Sequence, residues 1–323
     1  MTHLNRRLVL SSLAAMTAAG VTPVRAQANY PAQSLRFIVP YPAGGATDAL
    51  ARMVAQKLQD AWQQPVVVEN KPGAGGTIGA NLVAKGSADG HTVLFTIVAL
   101  LQQMTLMKLP YDPLKDFAPI SRVAVSPSVF AADPALPVQS LADFIQLVKS
   151  QPGKHNYGTY GPGTSAHLQG ELLKLQTGID LVHVPFQGAS PLVASMLGGQ
   201  LSSAFLDAGS SRQQLPKFKL LGVTGTERLS WLPQVPTLKE QGLHSYEPMG
   251  WFGLFLPAAV PPAVQDKLSA EIQRILRLPE VRDRIEAMGL IPGGESVEAF
   301  AKVMRSDADI YARIIRDAKI SLQ

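Results

Sequence analysis

From Leu35 onward, short runs of β-branched and aliphatic residues alternate with amphipathic stretches, and many of the joints between them are rich in glycine. A sheet covered by helices buries both kinds of segment, so the class is α/β. Leu35 to Pro40 reads as a first strand, followed by Ala49, Leu50, Met53, Val54, Leu58 and Trp62 at helical spacing. The unit recurs with a strand at Pro65–Asn70, a glycine loop at Lys71–Gly76 and a helix through Asn81, Leu82 and Val83. A third strand runs from His91 to Thr96.

Around Ala99 to Lys108 the periodicity blurs. The prolines of Pro110-Tyr111-Asp112-Pro113 and Phe117-Ala118-Pro119-Ile120 then read as an irregular connection ahead of a strand near Ser128–Ala131. This region is the expected crossing into a second lobe. That lobe carries helices at 140–150, after Thr164 and at 191–197, and strands at 155–160, 180–186, 201–207 and 219–224. A return near Val223 and Thr224 leads to a strand at 251–256 and helices at 263–278, 280–288 and 297–319. The expected division is lobe I from 27–99 plus 224–323 and lobe II from 100–223. Two crossings permit a hinge with a cleft between the lobes.

The N-terminus carries a separate instruction. Arg6 and Arg7 precede the apolar run Leu8–Val21 and the small-residue exit Val24-Arg25-Ala26, the three parts of a secretion signal, with cleavage expected after Ala26. The run is too short and too rich in Ala, Ser and Thr to span a bilayer securely. Sec and Tat export both remain open. What is left of the 323 residues exceeds one ordinary core and suits two domains. Three basic residues leave with residues 1–26, lowering the formal charge of +5, and no Lys/Arg run interleaved with aromatics remains, so no nucleic-acid partner is indicated. The absence of cysteine excludes disulfides, thiolate metal sites and a cysteine nucleophile.

Candidate binding residues fall on glycine-rich loops at the carboxyl ends of strands, where α/β proteins take up ligands. The first is Pro42 to Asp48, with Gly44, Gly45, Ala46 and Thr47 offering backbone amides and Thr47 or Asp48 placed to cap the next helix. The second, Asn70 to Gly79, holds Gly75 and Gly76. It departs from a dinucleotide fingerprint because Ile78 stands where the third glycine belongs, and no phosphate-binding Lys-Ser/Thr pair follows. The third, Thr159 to Leu168, sets Gly163, Thr164 and Ser165 at a helix N-terminus, which favours a carboxylate. The fourth, Val184 to Ser190, adds Gly188 and Ala189 beside an aromatic wall at Phe186. Thr96 ends the third strand, and Asp207 ends a strand where it would face the cleft, repelling a second carboxylate or holding an amino group.

Lys71 is the one basic side chain in these loops, so ligand charge falls to amides, hydroxyls and helix dipoles. No HExxH, no Gly-x-Ser-x-Gly elbow and no other catalytic constellation is present, and no metal or cofactor is called for. His167 and His183 read as hydrogen-bonded structural histidines, and Trp251 and Phe252 as core.

The loops in this order resemble the Bug or TctC family of receptors serving tripartite tricarboxylate transporters. The resemblance rests on Pro40 to Asp48, Glu69 to Gly76, Pro110 to Pro113, Phe117 to Ile120, Gly163 to Leu168, Val182 to Phe186 and Val235-Pro236-Thr237. It implies a periplasmic Venus flytrap of type II topology, expected to act as a monomer, closing on a carboxylate for membrane transporter components or reporting it to a sensor. It also implies water-mediated contacts at Gly44, Gly45, Ala46 and Thr47, with second-lobe contacts at Thr159, Gly163, Thr164, Phe186, Gly188 and Ala189. Where the family usually shows small polar residues after Thr96, this chain reads Ile97-Val98-Ala99-Leu100-Leu101-Gln102-Gln103. That departure points to a monocarboxylate or partly apolar acid rather than citrate.

Overall fold

A computed structural model of the chain describes residues 30–246 and 249–320. The expected secretion signal, residues 1–26, lies outside the described residues.

The first sheet begins with β1 (Leu35–Val39), whose Leu35, Phe37, Ile38 and Val39 are fully buried. The chain continues through α1 (Ala46–Trp62), β2 (Val66–Asn70), α2 (Thr77–Ala84), β3 (Thr92–Ile97), α3 (Ala99–Leu106) and β4 (Phe117–Ser126). It passes into a second sheet through β5 (Ser128–Ala132), α4 (Leu141–Ser150), β6 (His155–Thr159), α5 (Ser165–Thr177), β7 (Leu181–Pro185), α6 (Ala189–Leu197), β8 (Ser203–Asp207) and β9 (Lys219–Val223). It ends with β10 (Gly250–Pro257), α7 (Pro262–Leu276), α8 (Pro279–Ala287), β11 (Ile291–Pro292) and α9 (Val297–Asp317).

The six-stranded sheet is ordered β11-β4-β10-β3-β1-β2 and the five-stranded sheet β7-β6-β8-β5-β9. β1, β2 and β3 run parallel, as do β7, β6 and β8, so the loops after them gather at one edge of each sheet.

Two expectations about the lobes are corrected. The segment read as an irregular connection contains β4, ten residues long and paired with β10, so the chain changes sheet at Pro127 and not near residue 99. Pro119 is accommodated because it stands opposite Phe255 at a register irregularity, where the ladder does not need its missing N–H. The blurred stretch before it is α3, which lacks a clean polar face because Leu100, Leu101, Gln102 and Gln103 are all buried.

The return falls later than residue 224. Thr224 N donates to Ser128 O at 2.9 Å, Val223 bridges Thr237, and Leu229, Leu232 and Val235 share a core with Val129 and Leu206. The chain therefore stays with the second sheet to Tyr246, whose hydroxyl donates to Gln169 O at 2.9 Å.

Packing joins the lobes through a shared core. Ile38, Leu94, Leu100 and Leu101 from the first sheet's side form one apolar cluster with Phe130, Phe144, Tyr157 and Leu168 from the second. α9 packs on both α3 and α5 and closes this cluster. Trp251 and Phe252 are core residues as expected, and the indole N–H of Trp251 donates to Asp307 at 3.1 Å. Among the described residues no helix is long and apolar enough to cross a membrane.

Candidate ligand-binding site

The loop after β1 is held from beneath by Asp48. The helix starts at Ala46 with Gly45 as its N-cap and no side-chain cap bond, so neither Thr47 nor Asp48 is the cap. Asp48, 5% exposed, instead accepts from Gly44 N at 3.0 Å, from Arg52 Nε at 3.0 Å and from Asn70 Nδ2 at 3.0 Å. The Arg52 hydrogen bond, then those from Gly44 and Asn70, outweigh burial and hold its carboxyl below the usual range. Gly44, Gly45 and Ala46 are exposed above it, and the first-turn amides have no intrahelical acceptor.

Asn70 ties this loop to the next, since the same Nδ2 donates to Tyr41 O at 3.0 Å. The Tyr41 hydroxyl lies 3.5 Å from the buried Thr96 Oγ1. Gly76, at φ 104°, is required here because a Cβ would come within 2.9 Å of that hydroxyl.

In the second lobe Thr159 is fully buried at the end of β6, and its hydroxyl accepts from Gly161 N at 3.2 Å and lies 2.7 Å from His183 Nε2. Gly163 N donates to His167 Nδ1 at 3.1 Å, which places the proton of a neutral His167 on Nε2. The Thr164 hydroxyl donates to Gly161 O at 2.7 Å, and Phe186 N donates to Thr159 O at 2.9 Å. The imidazoles of His167 and His183 stack at 4.1 Å, and Tyr157 stacks on the far side of His183 at 5.1 Å. Both histidines thus buttress the third and fourth loops, in line with the structural role expected of them. Phe186 is half-buried and leans on the second lobe's core, while Gly188, at φ 102°, precedes the half-buried Ala189 at the start of α6.

Burial pushes the His183 imidazole down to about 4, with His167 adding to the effect, and burial likewise lowers His167. An unfolded histidine titrates near ~6.5, so below that pH the unfolded chain binds more protons than the native one. The stabilisation from the neutral pair is fully present above about pH 6.5 and is lost as pH falls through about 4. Melting temperature followed from pH 7.5 to 4 should show this loss, and His183→Gln should flatten the slope. A parallel slope in the variant would refute it.

The two halves meet through α3. Gln102 Nε2 donates to Ser165 Oγ at 2.8 Å, and Gln103 Nε2 donates to Gly75 O at 2.7 Å. Gln102 and Gln103 were not singled out from sequence; a pair of amides inside an otherwise apolar turn was the available signal. With them, one path of hydrogen-bonded and packed residues runs from the β1 loop through the β2 loop and α3 to the N-terminus of α5. Nearby cations are paired, with Arg52 on Asp48 and Lys71 3.5 Å from Glu69. Two surface hollows, of about 490 and 560 Å³, lie away from these loops, at Arg212–Met288 and at Tyr30–Trp62.

Two readings change. Asp207 is not free to face a ligand, because Ser126 donates to one oxygen and Ser210 N to the other at 2.8 Å, and its own N–H donates to Tyr160 at 2.5 Å. It sits at the end of β8, paired with Ser128 of β5 and bonded to Ser126 of β4, on either side of the crossing at Pro127. Val98, Leu100 and Leu101 lie in the core, which removes the basis for an apolar pocket there.

The sequence pattern of the TctC family, described as tripartite tricarboxylate transporter family receptors, matches residues 50–320. The chain belongs to this family. It is 31% identical to Protein BugT of Bordetella pertussis over 99% of this chain and 100% of that one. The solved R. palustris protein Rpa4515 with adipate superposes with a TM-score of 0.79 at 28% identity, covering 91% of this chain and 100% of that one. MatC from Rhodopseudomonas palustris with bound malate gives a TM-score of 0.73 at 28% identity over 88% of this chain and 100% of that one. The fold of this TctC-family chain is therefore that of a two-lobed periplasmic binding protein.

Proposed function

We propose that this TctC-family chain is an exported periplasmic receptor that captures a small organic carboxylate between its lobes. It hands the unaltered ligand to the membrane components of a tripartite tricarboxylate transporter. The lobes are taken as 30–126 with 250–320 and as 128–246, with the ligand held by the loops after β1, β2, β6 and β7.

The observation that carries this reading is the joining of two helix N-termini from opposite lobes, α1 and α5, by one continuous path of contacts, with Arg52 and Lys71 each already paired with a carboxylate of the protein. Helix N-termini favour anions by ~0.3–1 kcal/mol each, up to about 2 when partly buried, and amides fit a carboxylate without a fixed counter-cation. Adipate and malate in the two solved relatives support the same ligand class.

Calorimetric titration of the purified protein with adipate, malate, citrate and benzoate should give dissociation constants in the micromolar range or tighter for at least one small carboxylate. Prolonged incubation should leave the ligand's mass unchanged. No heat with any of them, or conversion of the ligand, would sink this reading.

A further inference from the structure

Two adjacent glutamines on α3 point to opposite lobes. Gln102, 2% exposed, reaches Ser165 at the first position of α5. Gln103, 9% exposed, grips the β2 loop twice, donating to Gly75 O at 2.7 Å and accepting from the Thr77 hydroxyl at 2.9 Å. Consecutive helical residues project about 100° apart, which allows a single turn to address both sides.

The grip on the β2 loop is close. Gly75 adopts φ 65°, and a Cβ there would come within 2.5 Å of Gln103 Nε2. Behind the pair, α9 packs against both α3 and α5, with Tyr311 buried on it.

We propose that Gln102 and Gln103 are positioning residues that set the spacing between the amides of the β2 loop and the N-terminus of α5, and thereby the affinity for the carboxylate. This rests on the reading of those loops as the ligand site. Both act through the groups they hold. An aliphatic residue at 102 leaves the Ser165 hydroxyl unclamped, and one at 103 releases Gly75 and Thr77 together. Glu at 103 keeps the acceptor for Thr77 but turns a carboxylate oxygen on the Gly75 carbonyl, so it should not rescue.

The test combines two readouts on the full chain carrying Gln102→Leu, Gln103→Leu or Gln103→Glu. Amide hydrogen exchange without ligand should accelerate within residues 73–79 for both changes at 103, and within 165–169 for the change at 102. Titration with adipate and malate should show about five- to tenfold weaker binding for each variant, the loss expected for one or two hydrogen bonds. Unchanged exchange in these segments would overturn the proposal. So would altered exchange with affinity kept within twofold. If the unaltered protein binds neither acid while exchange shifts as expected, the clamps stand and the assigned ligand class fails.

Discussion

Replacing Asp48 by alanine is expected to cost about 2–3 kcal/mol of stability and more than tenfold in ligand affinity. The carboxylate is 5% exposed and is the common acceptor for Gly44 N, Arg52 and Asn70. Removing one member of a buried charged network leaves its partners unsatisfied, at ~3–5 kcal/mol for a fully buried pair. The lower figure applies because the Arg52 side chain is 53% exposed and water replaces part of its partner. Affinity falls with stability because Gly44 N is pinned by this carboxylate, and the exposed amides above it lose their fixed direction. Asp48→Asn keeps an acceptor without the charge and should fall between the two. Urea unfolding and calorimetry check both effects, and an unfolding midpoint equal to that of the unaltered chain would show that Asp48 is not the organiser of the loop. The same network lets the proposed anion site stand over an acid, since Arg52 neutralises Asp48 where it stands.

Much of the architecture was legible because hydrophobic runs and glycine loops report local geometry directly. Phe37, Ile38 and Val39 are fully buried in β1, and the loops at Gly44, Gly75, Gly163 and Gly188 each lead into a helix. What escaped depended on partners distant in sequence. β4 was hidden by Pro119, which signals a break unless the opposing strand offers an irregular register at Phe255. α3 was hidden because its faces meet different neighbours and leave no polar stripe. Asp207 read as a cleft acid since only the fold brings Ser126, 81 residues earlier, against it. Residues 224–246 read as returning to the first lobe because the bridge from Val223 to Thr237 and the burial of Leu229 and Leu232 beside Val129 are tertiary facts. The candidate site divides the same way. Its amide-bearing loops follow from glycine placement and His183 from its reading as a hydrogen-bonded structural histidine, whereas the roles of Asn70, Gln102 and Gln103 become visible only when the sheets are assembled.

The second large effect is expected at Gly170, in the body of α5 against β6. A Cβ there would fall 2.0 Å from Cε2 of the fully buried Tyr157 and 2.7 Å from its Cζ, far inside contact distance. Alanine should gain ~1 kcal/mol of helix propensity over glycine, so an exposed site would be stabilised. The clash reverses the sign, because the ring has no easy escape. Its hydroxyl donates to Glu171 at 2.6 Å, and its face lies against His183, which in turn sits 2.7 Å from Thr159. Overpacking of this kind costs ~1–3 kcal/mol or more, and the anchored ring places Gly170→Ala at the upper end, with a net loss of about 2 kcal/mol. Displacing Tyr157 pushes on the imidazole stack and through it on Thr159, so binding should weaken alongside stability. Combining Gly170→Ala with Tyr157→Leu removes the colliding ring atoms and should recover part of the loss, a coupling that independent sites would not show. Denaturant unfolding of the single and double variants measures it, and additive losses would mean that α5 and β6 do not share this contact.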